Sequence, residues 1–269
     1  MVLALLGIVL LNLCTTSRQV PLLTVYTYNN FPPYIINPQT GQGISYDWVK
    51  AVNRHLQDIQ LQVIPLTRPE LDDILVNGPA FILWTLPRFF PEHPDYQASD
   101  AIFLDSFILV SRKSDPVKTF SAIKGKRLCQ ISGWVFPELN DMLNSGELTR
   151  VAGHDYADCL SLLEQNKLDL IWFSKSVYLT YPTELRTNQL YMMDPPIEII
   201  SRSVVITPDY QQWAGELNAA IQAIRQDPLW RDALLQYGSQ DFVDLLTLDI
   251  SQLQGINLQR DVLIQNDSD

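Results

Sequence analysis

Short apolar runs alternate with segments of helical periodicity along most of this chain. The run Leu22–Tyr28 is rich in β-branched and aromatic residues and predicts a strand. Apolar residues at helical spacing in Tyr46–Leu56 predict a helix. The continuous apolar run Ala80–Leu86 is typical of a strand buried on both faces. Further strands are predicted at Leu61–Pro65, Ala101–Val110, Arg127–Ile131, Thr149–Ala152, Leu168–Phe173 and Ile197–Ile206, and further helices at Pro69–Val76, Phe136–Leu143, Tyr156–Gln165, Ser176–Tyr181, Gln211–Arg225 and Pro228–Tyr237.

This order of elements predicts an α/β protein with two lobes. Repeated βα units form mostly parallel sheets with helices on both faces. The pattern is interrupted at Ser111–Lys126, a polar connection that contains a Pro and a Gly, and then restarts. A second unit of the same kind is therefore expected. Ligands bind beyond the carboxyl ends of the strands in such sheets, so the loops that follow the strands are the first candidates for a binding site.

Charge and the N-terminal segment restrict the function classes. The formal net charge of the 269-residue chain is −11 at pH 7, which argues against a nucleic-acid partner because that needs a basic surface. The first residues, MVLALLGIVLLNLC, are apolar but too few to span a membrane. Residues 1–18 are therefore predicted to be a signal peptide for export to the periplasm, and a buried helix is the alternative. No small residues directly precede Cys14, so no lipid anchor is expected there.

The cysteines and histidines suggest a disulfide and no metal site. Two cysteines, Cys129 and Cys159, remain if the signal peptide is removed. Such a pair is a disulfide candidate in an oxidising compartment, and two buried thiols are the alternative. The three histidines share no ligand-like spacing with the cysteines or with each other. We therefore expect neither a metal nor a cofactor.

Six segments follow one another in a recognisable order. They are LTVYTYNNFPPYI, GQGISYDWVKAVNRHL, NGPAFILWTLPRFFPEH, DPVKTFSAIKGKRLCQISGW, ADCLSLLEQNKLDLIWFS and ELNAAIQAIRQDPLWRDALLQYG. This series resembles the bacterial extracellular solute-binding proteins of the polar amino-acid type (family 3). The resemblance implies a type II periplasmic-binding-protein clamshell, with lobe one at residues 20–109 plus 205–269, lobe two at residues 113–200, and hinge strands near residues 107–112 and 200–205.

The resemblance also implies a function. Members bind a small molecule between the lobes without catalysis and usually deliver it to an inner-membrane ABC permease. We expect the same function here, and we expect the protein to be a monomer. Two alternatives stay open on this scaffold. The protein could dock on a receptor as a sensor, or it could be an enzyme, since some relatives are dehydratases. A dehydratase needs a general acid in the cleft, for which Glu92 and His93 are the candidates.

The chain departs from the family where the ligand's charges are held. Counting along the third segment, the family's carboxylate-clamping arginine falls near Glu92 or His93. Arg68 and Arg88 are the predicted substitutes, because a guanidinium pairs well with a carboxylate. The family's acidic residue for the ligand's ammonium group is replaced by Ser174. The ligand is therefore predicted not to be an ordinary α-amino acid.

Aromatic residues occupy several of the predicted cleft loops. Flat side chains suit a planar, sugar-like or cationic ligand, and ordinary core packing is the alternative for each. The predicted ligand-binding residues are Asn29, Phe31, Tyr34, Arg68, Trp84, Thr85, Arg88, Ser132, Trp134 and Ser174.

Overall fold

The structure, a computed structural model, describes residues 20–247 except 77, 132–135 and 137–138. The predicted signal peptide with Cys14, and two predicted site residues, Ser132 and Trp134, lie outside the described residues. The strands are β1 (Leu22–Thr27), β2 (Gln60–Pro65), β3 (Phe81–Thr85), β4 (Gln97–Ala98), β5 (Phe103–Arg112), β6 (Arg127–Ile131), β7 (Thr149–Gly153), β8 (Leu170–Ser174), β9 (Leu190–Met192) and β10 (Glu198–Ile206). The α-helices are α1 (Ile44–Asn53), α2 (Arg68–Leu75), α3 (Asn140–Ser145), α4 (Tyr156–Glu164), α5 (Lys175–Tyr178), α6 (Thr183–Asn188), α7 (Ala214–Ile224), α8 (Pro228–Leu234) and α9 (Gln240–Thr247).

Eight of the ten described strands follow one path in the order β2-β1-β3-β10-β5-β8-β6-β7, while β4 pairs with β10 and β9 pairs with β5. Strands β1, β2 and β3 are parallel at one end, and β6, β7 and β8 are parallel at the other. We call the part around β1–β4 the first lobe and the part around β6–β9 the second lobe. The predicted two-lobed α/β architecture is confirmed. Among the described residues, no helix is long and apolar enough to cross a membrane.

Strands β5 and β10 connect the two lobes as an antiparallel pair. Residues 198–202 of β10 pair with residues 103–107 of β5, and residues 203–206 then pair with β3. From residue 107 onward β5 pairs with β8 of the second lobe. The antiparallel segment that links the lobes therefore spans residues 103–107 of β5 and residues 198–202 of β10. The exact lobe boundaries stay a prediction.

The loop NNFPPYI is held against the start of α1. Ile44 N donates to the Pro33 carbonyl at 2.9 Å, and Ser45 N donates to the Tyr34 carbonyl at 3.2 Å. Gly43 permits this approach, because its φ is 134° and an added Cβ would lie 2.4 Å from the Tyr34 oxygen. Only glycine adopts that conformation readily. The aromatic loop is therefore a fixed wall of the first lobe.

A disulfide joins two elements of the second lobe. Cys129 on β6 and Cys159 on α4 are bonded, with their Cα atoms 5.9 Å apart. Gly153, at the end of β7, packs directly on this bond, since an added Cβ would lie 2.5 Å and 2.8 Å from the two sulfurs. The disulfide therefore fixes α4, the helix that begins with Tyr156, to β6, an inner strand of the second-lobe sheet.

Candidate functional site

A cavity of about 90 Å³ lies where the two lobes meet. One water needs at least about 10–15 Å³, so the cavity has room for a small occupant. Its walls come from loops of the first lobe, from the second lobe, and from β5 and β10. The lining residues are Tyr28, Asn29, Phe31, Arg68, Phe89, Phe107, Phe136, Tyr156, Trp172, Ser174 and Arg202.

Arg202 forms the polar centre of the cavity wall. It is 6% exposed and lies on β10, at the point where this strand passes from one lobe to the other. Its Nε donates to Asp105 Oδ2 at 3.0 Å, its Nη1 to the Trp84 carbonyl at 3.0 Å, and its Nη2 to Ser174 Oγ at 2.6 Å. Burial alone lowers the pKa of Arg202, but the nearby Tyr34 and Asp105 oxygens more than offset this and raise it. The guanidinium is therefore a fixed positive charge.

Asp105 extends the Arg202 contacts into a buried network. Its side chain is fully buried, and it accepts hydrogen bonds from Ser176 N at 3.0 Å and Ser176 Oγ at 2.7 Å. Ser176 Oγ also lies 2.9 Å from the Tyr34 hydroxyl of the first lobe. Burial raises the pKa of Tyr34 to about 12, so that hydroxyl keeps its proton. The network thus ties the first-lobe loop to α5 of the second lobe beside the cavity.

Aromatic rings from both lobes meet around the cavity. Phe31 of the first lobe and Tyr156 of the second make an edge-to-face contact with centroids 5.5 Å apart. Tyr156 also stacks on Phe173 at 4.4 Å, and Phe107 lies 5.0 Å from Trp172. Such pairs add to the energy of area burial. The two lobes therefore stand in a closed arrangement.

Asn29 presents a buried donor at the cavity. The residue is 8% exposed, and its Nδ2 is buried with no hydrogen-bond partner among the described residues. A buried polar group without a partner costs about 1–3 kcal/mol, and native structures rarely keep one without a reason. Because Asn29 belongs to the cavity lining, its amide is a candidate donor for a ligand or an ordered water.

Arg68 is the second guanidinium in the cavity lining. Its Nε donates to Asp72 Oδ1 at 2.9 Å and its Nη2 to the Phe89 carbonyl at 3.1 Å. The guanidinium also lies over the Tyr28 ring at 5.3 Å and over the Phe90 ring at 4.5 Å. These contacts keep the positive charge of Arg68 at the aromatic wall of the first lobe.

No protein-family model matches the chain. The glutamate/aspartate import solute-binding protein of Salmonella typhimurium is 27% identical over 144 residues, which cover 50% of this chain and 48% of that protein. The chain thus spans about half the length of this curated relative.

Solved structures match over most of the chain. The GluR0 ligand-binding core of Nostoc punctiforme in complex with L-glutamate has a TM-score of 0.64 at 14% identity, covering 80% of this chain and 98% of that one. A putative L-cystine ABC transporter protein of Listeria monocytogenes has a TM-score of 0.66 at 12% identity, covering 82% and 98%. The chain has the type II periplasmic-binding-protein fold. An ancestral amino-acid-binding protein, a precursor of cyclohexadienyl dehydratase, also matches, with a TM-score of 0.62 at 13% identity, covering 81% and 96%. The predicted fold and the resemblance to amino-acid-type solute-binding proteins are confirmed.

Four predicted ligand-binding residues line the cavity, and three more lie buried beside it. Tyr34, Trp84 and Thr85 are each at most 1% exposed. The Trp84 indole donates to Ser45 Oγ at 2.8 Å, and its positive φ of 65° places its carbonyl where Arg202 binds it. These three residues support the wall and do not line it. The residues in the lining are Asn29, Phe31, Arg68 and Ser174.

Arg88 is not brought to the cavity. It follows β3 in a short 3-10 helix, and its guanidinium forms a two-pronged ion pair with Glu198 at 2.5 Å and 2.7 Å. The side chain is 39% exposed. Arg88 itself does not line the cavity, although its guanidinium lies over the ring of the lining residue Phe89 at 4.9 Å.

Arg202, the buried cation of the cavity lining, is not among the site residues predicted from the sequence. Its signal is nevertheless visible, because it interrupts the apolar run IEIISRSVVI, as Asp105 interrupts AIFLDSFILV. A charged residue is rarely buried unless it is paired. Two such interruptions of opposite sign indicate a buried ion pair.

Proposed function

We propose that this protein binds a small organic solute between its lobes, without chemical conversion, and delivers it to an ABC permease after export to the periplasm. The observation that carries the proposal is the buried Asn29 donor in a cavity walled by both lobes. Closure of two lobes on a ligand is a common mode of binding in this fold. The names of the Salmonella relative and the Listeria neighbour, which refer to import and to an ABC transporter, support the transport role. We propose that the lobes comprise residues 20–109 with 205–269, and residues 113–200.

The proposed ligand is not an ordinary α-amino acid. The described residues that line the cavity include no carboxylate to pair with the ammonium group of a zwitterion. Asp105 lies behind this wall and already accepts from Arg202 and Ser176. Ser174 stands where the resemblance places the family's acidic residue. The ammonium group of an amino acid would therefore lose its hydration without gaining a charged partner.

A dehydratase activity receives no support from the positions of its candidate residues. Glu92 is exposed, and His93 stacks on Tyr96 with centroids 4.5 Å apart. Neither residue belongs to the cavity lining. A general acid must reach the reacting group, so binding without catalysis is the better interpretation.

A thermal-shift screen tests the proposed function. The protein is unfolded, freed of any co-purified ligand, refolded, and screened against organic acids, amines, small sugars, peptides and the common amino acids. A true ligand at 100 times its Kd stabilises the fold by about 2.7 kcal/mol. The shift should be smaller in Asn29→Ala and unchanged in the control Asn144→Ala, which alters an exposed amide on α3. Absence of any shift across the screen would refute the proposal.

A further inference from the structure

We propose that the ligand is a small, flat carboxylate, and that Arg202 and Arg68 together bind its carboxylate group. The inference rests on the proposed function and extends it by naming the ligand class and its two anchors. It requires a net positive environment for the carboxylate, donors of suitable geometry, and space for a flat body.

The charged side chains among the described lining residues are both guanidinium groups. The partner of Arg68, Asp72, has a side chain that is 53% exposed, so water screens its negative charge and the pair is weak. The partner of Arg202 is buried and lies behind the wall. A ligand in the cavity therefore meets positive charge first, which disfavours a cation and favours an anion.

Arg202 has the geometry for a carboxylate. A guanidinium carries five N–H donors in a planar fork. The bonds to Asp105, the Trp84 carbonyl and Ser174 take one hydrogen from each of its three nitrogens. Each Nη nitrogen carries a second hydrogen, which it can donate to a carboxylate oxygen. Asp105 is the positioning residue, because its bond to Nε sets the orientation of the fork.

The remaining lining residues suit a flat body. Tyr28, Phe107 and Trp172 provide ring faces and edges, and aromatic groups prefer offset or edge-to-face contacts with such rings. The cavity volume of about 90 Å³ restricts the ligand to a small body. The unpartnered Asn29 amide supplies a further donor for a carboxylate oxygen.

Three probes of one shape and different charge test the inference. Benzoate is an anion, benzamide is neutral and benzamidine is a cation, and phenylglycine adds the zwitterion. We expect benzoate to bind about tenfold or more tightly than benzamide in calorimetry, because hydrogen bonds to charged groups are the stronger ones. Benzamidine and phenylglycine should bind more weakly than benzamide. A twofold or smaller preference for benzoate over benzamide, or tighter binding of benzamidine, would overturn the inference.

Arginine variants locate the anchor. Arg68→Gln should reduce the preference for benzoate over benzamide by roughly threefold to tenfold, with benzamide binding little changed. Arg202→Lys should reduce it further, because it keeps the charge and loses the planar fork. Arg231→Gln, a matched control whose ion pair with Asp244 involves no lining residue, should leave the preference unchanged. If Arg202→Lys does not fold, as judged by circular dichroism, Arg68→Gln still decides: an unchanged preference would contradict the assignment.

The two proposals fail differently. If the thermal-shift screen finds a ligand that is not a carboxylate, the ligand class is wrong and the binding function stands. If neither the screen nor the four probes give any binding, the binding function itself fails.

Discussion

The substitution Asp105→Asn tests whether the network beside the cavity holds the two lobes together. The Asp105 carboxylate compensates the buried Arg202 charge and accepts two hydrogen bonds from Ser176. Asparagine keeps the shape of the side chain but removes its negative charge. It also replaces one accepting oxygen by an NH₂ group, which faces the donors of Arg202 and Ser176. Breaking one partner of a buried ion pair costs about 3–5 kcal/mol. This is a large part of the 5–15 kcal/mol by which a typical protein is stable.

Urea unfolding followed by tryptophan fluorescence measures this loss, and solution scattering measures the separation of the lobes. The matched control is Asp72→Asn, which removes the carboxylate from the more exposed pair with Arg68 and should cost less than about 1 kcal/mol. Asp105→Asn should also increase the radius of gyration. The hydrogen bond between Tyr34 of the first lobe and Ser176 of α5 depends on the Asp105 carboxylate, which fixes the position of Ser176. Equal losses for the two variants, with unchanged scattering, would refute the reasoning.

Three further predictions follow from local geometry. Gly153→Ala should lower the melting temperature markedly, since its Cβ would lie within 2.8 Å of both disulfide sulfurs, and reduction of the bond should remove most of the difference. Tyr34→Phe, which loses the bond to Ser176 Oγ and keeps the ring, should cost about 1 kcal/mol in urea unfolding. Hydrogen bonds from Arg127 lower the pKa of Asp169 to about 2, below the ordinary value of about 3.9. Its contribution to stability is therefore complete above about pH 4 and is lost as the pH falls through 2, and Asp169→Asn should flatten that part of the acid-unfolding curve.

The periodicity of the sequence predicts the main strands and helices because their burial is regular. All five residues of β3 are buried, as its continuous apolar run indicates. The prediction for β6 has the observed bounds. The segment predicted as a helix from residue 211 begins as a 3-10 turn at Pro208–Trp213 before α7, and this change of helix type leaves no mark in apolar spacing.

Several short elements could not be predicted from local patterns. Strand β4 has two exposed residues and β9 has three residues, so neither contains a full apolar alternation. Both exist because a longer strand offers them backbone partners, β10 for β4 and β5 for β9. Helix α9 was also not predicted. Its buried residues Phe242, Val243 and Leu246 lie on one helical face.

The cavity is predictable where its residues follow strands and unpredictable where they depend on pairing between distant strands. The loop after β1 and the end of β8 could be recognised from position alone, and both contribute to the lining. Tyr156 begins α4, after the end of β7, but Phe107 lies inside an apolar strand, where its sequence context indicates core packing. Its position in the lining follows from the crossing of β5 between the lobes.

The pairing of β5 with β10 explains why Asp105 and Arg202 must meet. In this antiparallel register Asp105 lies opposite Ile200, and Arg202 lies opposite Phe103. Arg202 is thus two residues from the partner of Asp105, which makes the two side chains diagonal neighbours on one face of the sheet, within reach of a long side chain. A shift of one residue would place them on opposite faces and leave two unpaired buried charges. The ion pair therefore favours a single register at the strands that join the lobes, and the same register sets Arg202 in the cavity wall.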